Sequence, residues 1–182
     1  MSLKELTQEK HKDAERTAFA KLLLSGSIDK EQYANYLLQM LEIYSVLEYH
    51  AANHGLLTDL TGLPRSKAIY EDLIELSEDG TGRVLQATVD YVSYLHQLAE
   101  TNPNNLMAHL YVRHMGDLYG GQMIAKKVPG KGKFYQFTDK DGLIAKIRAK
   151  LDDSMGDEAN VAFDHAINIM KELNESSLVH AD

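Results

Sequence analysis

Apolar residues recur every three or four positions along most of this chain, and no alternating strand pattern is sustained. Ser2 and Glu5 are spaced as a capping box, which predicts a first helix running through about Ala20. SGSIDKEQ breaks that pattern. Asp29 then suits an N-cap, and Leu37, Met40, Leu41, Tyr44 and Leu47 line one side of a helix reaching toward Gly55. LTGLP marks a turn before a short helix over about 65–77, and EDGTG is a second break. Residues 84–100 read as a fourth helix, closed by TNPNN. A glycine-bearing segment at 109–127 follows and ends at VPGKGK; FYQF is a short apolar run expected as a buried loop. Helices over 142–151 and 157–174 complete a single all-α domain spanning 1–182, with a flexible tail from about residue 175.

The segment 109–127, HLYVRHMGDLYGGQMIAKK, has helical surroundings yet carries Gly116, Gly120 and Gly121. Each glycine costs about 1 kcal/mol relative to alanine in a helix interior. Gly116 and Gly120 lie about 40° apart on the helical wheel and Gly121 about 100° further round, with Asp117 projecting between the last two. A bare backbone admits a planar ligand, or the close approach of another helix. Packing alone does not call for an acid in such a patch, so Asp117 favours the ligand. Arg113, four residues earlier, is placed to pair with it.

Two other spacings bear on chemistry. His11 and Glu15 share a helical face, as a metal-ligating imidazole and the carboxylate fixing its tautomer would, or as a solvated ion pair would. His50 and His54 have the same separation, but near a helix C-terminus they read more simply as exposed residues favoured by the helix dipole. Signatures of di-iron bundles, P-loops, dinucleotide folds and serine hydrolases are absent. With no cysteine among 182 residues, disulfides, thiolate nucleophiles and cysteine-bound metals are excluded. No signal-like or spanning apolar stretch is evident, so a soluble, cytoplasmic protein is expected. The net charge of −8 argues against nucleic-acid binding. It is uneven, however: residues 105–150 hold nine Lys/Arg against three Asp/Glu, hence +6, which leaves −14 on the remainder. A basic region on an acidic protein suits an anionic ligand or an acidic partner.

HKDAERTAF and YVRHMGDLYGGQ strongly resemble the two signature segments of the haem oxygenases, and LEIYSVLEYH and AFDHAINIMKEL extend the similarity through most of the chain. The resemblance implies an all-α fold with haem between a proximal and a distal helix. It makes His11 the iron ligand, Glu15 its carboxylate partner, and Gly116, Gly120 and Gly121 the residues lying over the porphyrin. Asp117 is then expected to position the water network that delivers a proton, with Arg113 and Tyr44 as supports. Lys4, Tyr111 and Arg148 match positions that contact the haem propionates, whereas Gln8 and Ile144 stand where lysines would align. The implied reaction converts haem, both cofactor and substrate, to biliverdin, ferrous iron and carbon monoxide with O₂ and reducing electrons. Cleavage at the α-meso carbon is expected. Lys126, Lys127, Arg148 and Lys150 are candidates to dock an acidic donor such as ferredoxin, and a bilin reductase is a possible downstream partner. A haem-binding or storage protein that has lost turnover is one alternative, against which the distal acid Asp117 speaks; a plain helical bundle or thiamin-type hydrolase of related shape is another, which would bind no haem and show no Soret band.

Overall fold

The computed structural model describes residues 1–77 and 82–179, and every regular element among them is helical. Helix α1 spans Leu3–Glu15 and opens on the expected capping box: the Ser2 hydroxyl accepts the Glu5 N–H, and the Ser2 N–H donates to Glu5 Oε2 at 2.7 Å. It stops five residues short of the expected Ala20. Thr17 takes an extended conformation (ψ 146°), its hydroxyl donates to the Ala14 carbonyl at 2.9 Å and accepts from Ala20, and a separate helix α2 begins at Ala18–Ser25. A threonine that offers the backbone these local hydrogen bonds can end one helix and cap the next. Gly26, at φ +77°, closes α2 in the left-handed conformation that glycine tolerates best.

Helix α3 (Lys30–Asn53) starts at Asp29 with a reciprocal Asp29–Gln32 capping box. Tyr33, Leu37, Met40, Ile43, Tyr44 and Leu47 are all buried along it. These positions form the spine of the core, onto which α4 (Ser66–Leu76), α5 (Gln86–Thr101) and α6 (Leu106–Leu110) pack. A π-helical turn, Tyr111–Met115, joins α6 to α7 (Gly116–Ala125). Helices α8 (Lys140–Lys150) and α9 (Gly156–Val179) follow. α9 packs on α1, α2, α5 and α6, and the chain end is tied back where the Leu3 N–H donates to Asp153 Oδ1 at 2.8 Å. The helix continues to Val179, through the first residues of the segment read as a tail. Residues 180–182, and 78–81 of the EDGTG break, lie outside the described residues.

Phe134 and Tyr135 of FYQF close a short 3₁₀ turn, Lys133–Tyr135, and are buried, while Gln136 and Phe137 continue as irregular chain. Gly130 and Gly132, at φ +84° and +64°, reverse the chain before it. The buried Asp72 carboxylate accepts the Lys133 and Phe134 N–H groups at 3.0 and 2.8 Å, and so anchors both aromatic rings in the core.

Candidate functional site

The three glycines of the 109–127 segment divide into two faces. A Cβ built on Gly116 or Gly120 meets nothing within 4 Å, whereas one on Gly121 would lie 2.5 Å from the Tyr135 ring. Gly121 is therefore a packing glycine, seated against the 3₁₀ turn that Asp72 anchors. A Cβ there points to that turn and not to the open side that Gly116 and Gly120 share. The open side of α7 continues with Tyr119 and Met123, which are 50% and 60% exposed. Positions 116, 119, 120 and 123 follow the one-face spacing of a helix, so two bare positions are flanked by two exposed apolar side chains. An uncovered apolar stripe on a helix that is otherwise packed is the signature of a ligand-facing surface.

Asp117 projects to the buried side. Tyr44 donates to its Oδ2 at 2.5 Å. Burial pushes the Asp117 carboxyl up to about 6, against the opposing pull of His114, the Tyr44 hydrogen bond, Arg113 and Arg65. Burial and the neighbouring Asp117 hold the Tyr44 phenol far above its ordinary range, which keeps it a donor. The expected Arg113–Asp117 ion pair is not formed. Arg113 lies in the π turn, where backbone bonds span five residues instead of four, so the register that stacks i on i+4 is lost. Its guanidinium instead sits 5.5 Å from the centre of the Tyr44 ring and donates to Met40 Sδ at 2.6 Å. Arg113 thus supports Asp117 through Tyr44 and through charge, not by contact.

On α1, Lys4, Gln8, His11 and Glu15 are all exposed and fall on one helical stripe. His11 Nε2 lies 3.4 Å from Glu15 Oε1, and the ring meets Phe163 of α9 edge-on at 5.7 Å between centroids. The pairing expected from spacing is present, on an imidazole whose side chain remains 57% exposed. Helix α2 touches both α1 and α7. Tyr111, the first residue of the π turn, is half-buried, and Arg148 of α8 donates to the Tyr119 hydroxyl on the open side of α7. Ile144 is buried, in keeping with its departure from lysine. Lys150 is already paired with Asp59 at 2.9 Å, whereas Lys126 and Lys127 are exposed and form no ion pair among the described residues. His50 pairs with His96 of α5 at 2.8 Å rather than with His54. Among the described residues no group of three or more metal-ligand side chains is assembled.

Sequence reasoning passed over His114, Glu48, Met40, Tyr119 and Met123. The last two were visible as G-x-x-Y-G-x-x-M, an apolar pair at the spacing of the two glycines. The others are brought to Asp117 only by folding. No helix among the described residues is long and apolar enough to cross a membrane.

An all-α protein with a glycine-faced helix over a buried acid, and an exposed His–Glu pair on its first helix, defines a class that comparison with known proteins identifies. The family model described as Heme oxygenase matches residues 1–172. The chain is 31% identical to a heme oxygenase of Pyropia yezoensis over 97% of its length and 86% of the relative's. It is 32% identical to heme oxygenase 2 of Rattus norvegicus, spanning 65% of that protein. Among solved structures, heme oxygenase-1 of Synechocystis in complex with heme superposes with a TM-score of 0.86 at 29% identity, covering 98% of this chain and 93% of the other. The chain belongs to the haem oxygenase family, a family of all-α, haem-degrading enzymes.

Proposed function

We propose that this chain opens haem at a meso carbon, expected to be α, giving biliverdin, ferrous iron and carbon monoxide from O₂ and the electrons of a ferredoxin-type donor. The observation that carries the reading is the side-chain-free face of Gly116 and Gly120 beside buried Asp117. The residues suit the substrate. A flat macrocycle fills the space that a Cβ at either glycine would enter, and one nitrogen of exposed His11 has no hydrogen-bond partner among the described residues. Haem, when bound, supplies both the redox-active iron and the ring that is cut.

In this reading His11 holds the iron, and Glu15 accepts the N–H of the other ring nitrogen, fixing tautomer and orientation. Asp117 moves a proton through ordered water rather than by touching the reacting atoms. With its carboxyl near 6 it both releases and recovers a proton close to neutral pH, and Tyr44 holds one of its oxygens in place. Arg113 steadies the Tyr44 ring. Lys4, Tyr111 and Arg148 take the propionates and so orient the ring, while Gln8 and Ile144 offer no cation to help. Lys126 and Lys127 receive the donor, and biliverdin passes to a bilin reductase.

The test adds haem, O₂ and reduced ferredoxin to the purified chain, follows the Soret band and identifies the product isomer. Loss of the band with α-biliverdin formed is expected, and His11→Ala is expected to change the iron's spectrum. An apoprotein that takes up no haem would end this reading.

A further inference from the structure

Tyr119 and Arg148 make an incomplete pair on the open side of α7. The Arg148 guanidinium, on α8, donates to the Tyr119 hydroxyl and sits 5.7 Å from the centre of that ring. Their remaining hydrogens are unclaimed. Arg148 forms no ion pair among the described residues, and the Tyr119 hydroxyl has no acceptor among them. A phenol that accepts from a guanidinium keeps its own hydrogen for another acceptor, and the guanidinium offers a fork of N–H donors that fits a carboxylate. Tyr119 shares a helical face with Gly116 and precedes Gly120, so these donors gather at the edge of the surface those glycines leave bare. The neighbouring positions supply no second free cation there. Lys150 is paired with Asp59 at 2.9 Å, and Ile144, one turn before Arg148 on α8, is apolar and buried.

Packing α8 against α7 calls for the ring of Tyr119 and not for its hydroxyl. An acid at that position would have neutralised Arg148, whereas a phenol holds the cation in place and leaves its charge available. We propose that Tyr119 and Arg148 together form a carboxylate site, in which the phenol O–H and the guanidinium fork donate to the same propionate of a ring lying over Gly116 and Gly120. Arg148 supplies the charge. Tyr119 supplies a second donor and fixes the guanidinium against α7, so the carboxylate is placed relative to the bare face. Lys4 and Tyr111 remain for the other propionate. With the iron held at the centre of the ring, one fixed propionate sets the rotation of the macrocycle, and the uncharged Gln8 and Ile144 add nothing to it. Tyr119 is therefore a specificity residue: it selects which meso carbon is cut. This inference rests on the proposed reading of the chain as a haem-cleaving enzyme, and adds to it a residue to which the family resemblance gave no part.

The test compares haem with its dimethyl ester, which has the same iron and ring but no carboxylate. Titration of the apo chain, read at the Soret band, requires no turnover. Native chain should take up haem more tightly than the diester, and equal affinities would overturn the proposal at the outset. Tyr119→Phe keeps the exposed ring and removes only the hydroxyl. It should weaken haem uptake about tenfold and change diester uptake by no more than about twofold. Equal losses for both ligands, or none for either, would overturn the proposal, because ring contact or helix packing alone gives those results. With Arg148→Met already in place, Tyr119→Phe should cost less than about threefold, since the two donors serve one anion; the full tenfold cost in that background would mean they do not. Under turnover with reduced ferredoxin, Tyr119→Phe should give a mixture of biliverdin isomers where the native chain gives one. A native isomer ratio in a variant with weakened uptake would refute the selection of the meso carbon. Native chain that takes up neither ligand condemns the functional reading instead, so the two failures are distinguishable.

Discussion

Asp117 carries a cost that its surroundings only partly offset. A carboxyl that ordinarily titrates at 3.8 is pushed by burial to about 6, and that difference corresponds to about 3 kcal/mol. The sign follows from proton counting. Between those two values the native chain binds a proton that the unfolded chain does not, so stability falls as pH rises through this window, and the cost is fully present above about 6. Asp117→Asn removes the charge but keeps an acceptor for Tyr44. The variant should therefore gain stability over the native apo chain by up to about 3 kcal/mol at pH 8 and much less at pH 4, while biliverdin formation is lost. Denaturant unfolding at the two pH values measures the first effect and product analysis the second. A difference independent of pH would mean that the Asp117 carboxyl titrates in the folded chain as it does in the unfolded one, so that burial does not raise it. Tyr44 is the residue that makes the acid tolerable, and its helical spacing alone does not disclose this. It reads as one more core position of α3 until folding brings its hydroxyl to Asp117.

At the scale of the element, α7 has two glycine faces with opposite predictions. Gly116→Leu should improve or preserve apo stability, since leucine is the better helix former and a Cβ there meets nothing within 4 Å, yet it should weaken haem uptake or turnover. Gly121→Leu should do the reverse. It forces a side chain into the Tyr135 ring and costs about 1–3 kcal/mol of stability, with haem affected only through the displaced turn. Thermal unfolding of the apo forms and Soret titrations separate the two, and normal uptake and product formation in Gly116→Leu would count against close approach of the ring. The same helix marks the limit of what sequence discloses. Glycine cost and wheel angle located the segment and the bare patch, but the packing partner that claims Gly121 is fourteen residues away in a turn that itself depends on Asp72. Periodicity found α3 and its Asp29 cap because local capping and a long buried stripe agree. It ran α1 past Thr17 because a threonine hydroxyl serves a helix interior and a helix cap alike, and only the φ, ψ values decide. It also paired Arg113 with Asp117, since i,i+4 holds for an α-helix and fails in a π turn that no spacing rule announces.

For the whole molecule the decisive quantity is how charge is distributed, not its sum. The excess of +6 over residues 105–150 survives folding unevenly. Lys133 pairs with Glu71 at 3.0 Å and Lys150 with Asp59 at 2.9 Å, so both are largely spent within the chain. Lys126 and Lys127, at the end of α7 itself, are exposed and form no such pair among the described residues. An acidic donor drawn to this protein meets strong repulsion from the remaining −14 unless it arrives at that helix end. On the proposed reading the basic residues are a steering patch for the donor against an unfavourable background. Because the charges are exposed, docking should weaken as salt shortens the screening length to about 8 Å at physiological ionic strength. The double variant Lys126→Glu, Lys127→Glu should raise the Michaelis constant for reduced ferredoxin about tenfold at low salt and flatten its salt dependence, with haem affinity unchanged. Lys150→Ala should change the constant far less, since Asp59 already compensates that charge. Comparable effects from the two substitutions, or a Michaelis constant indifferent to salt, would move the docking site away from the glycine helix.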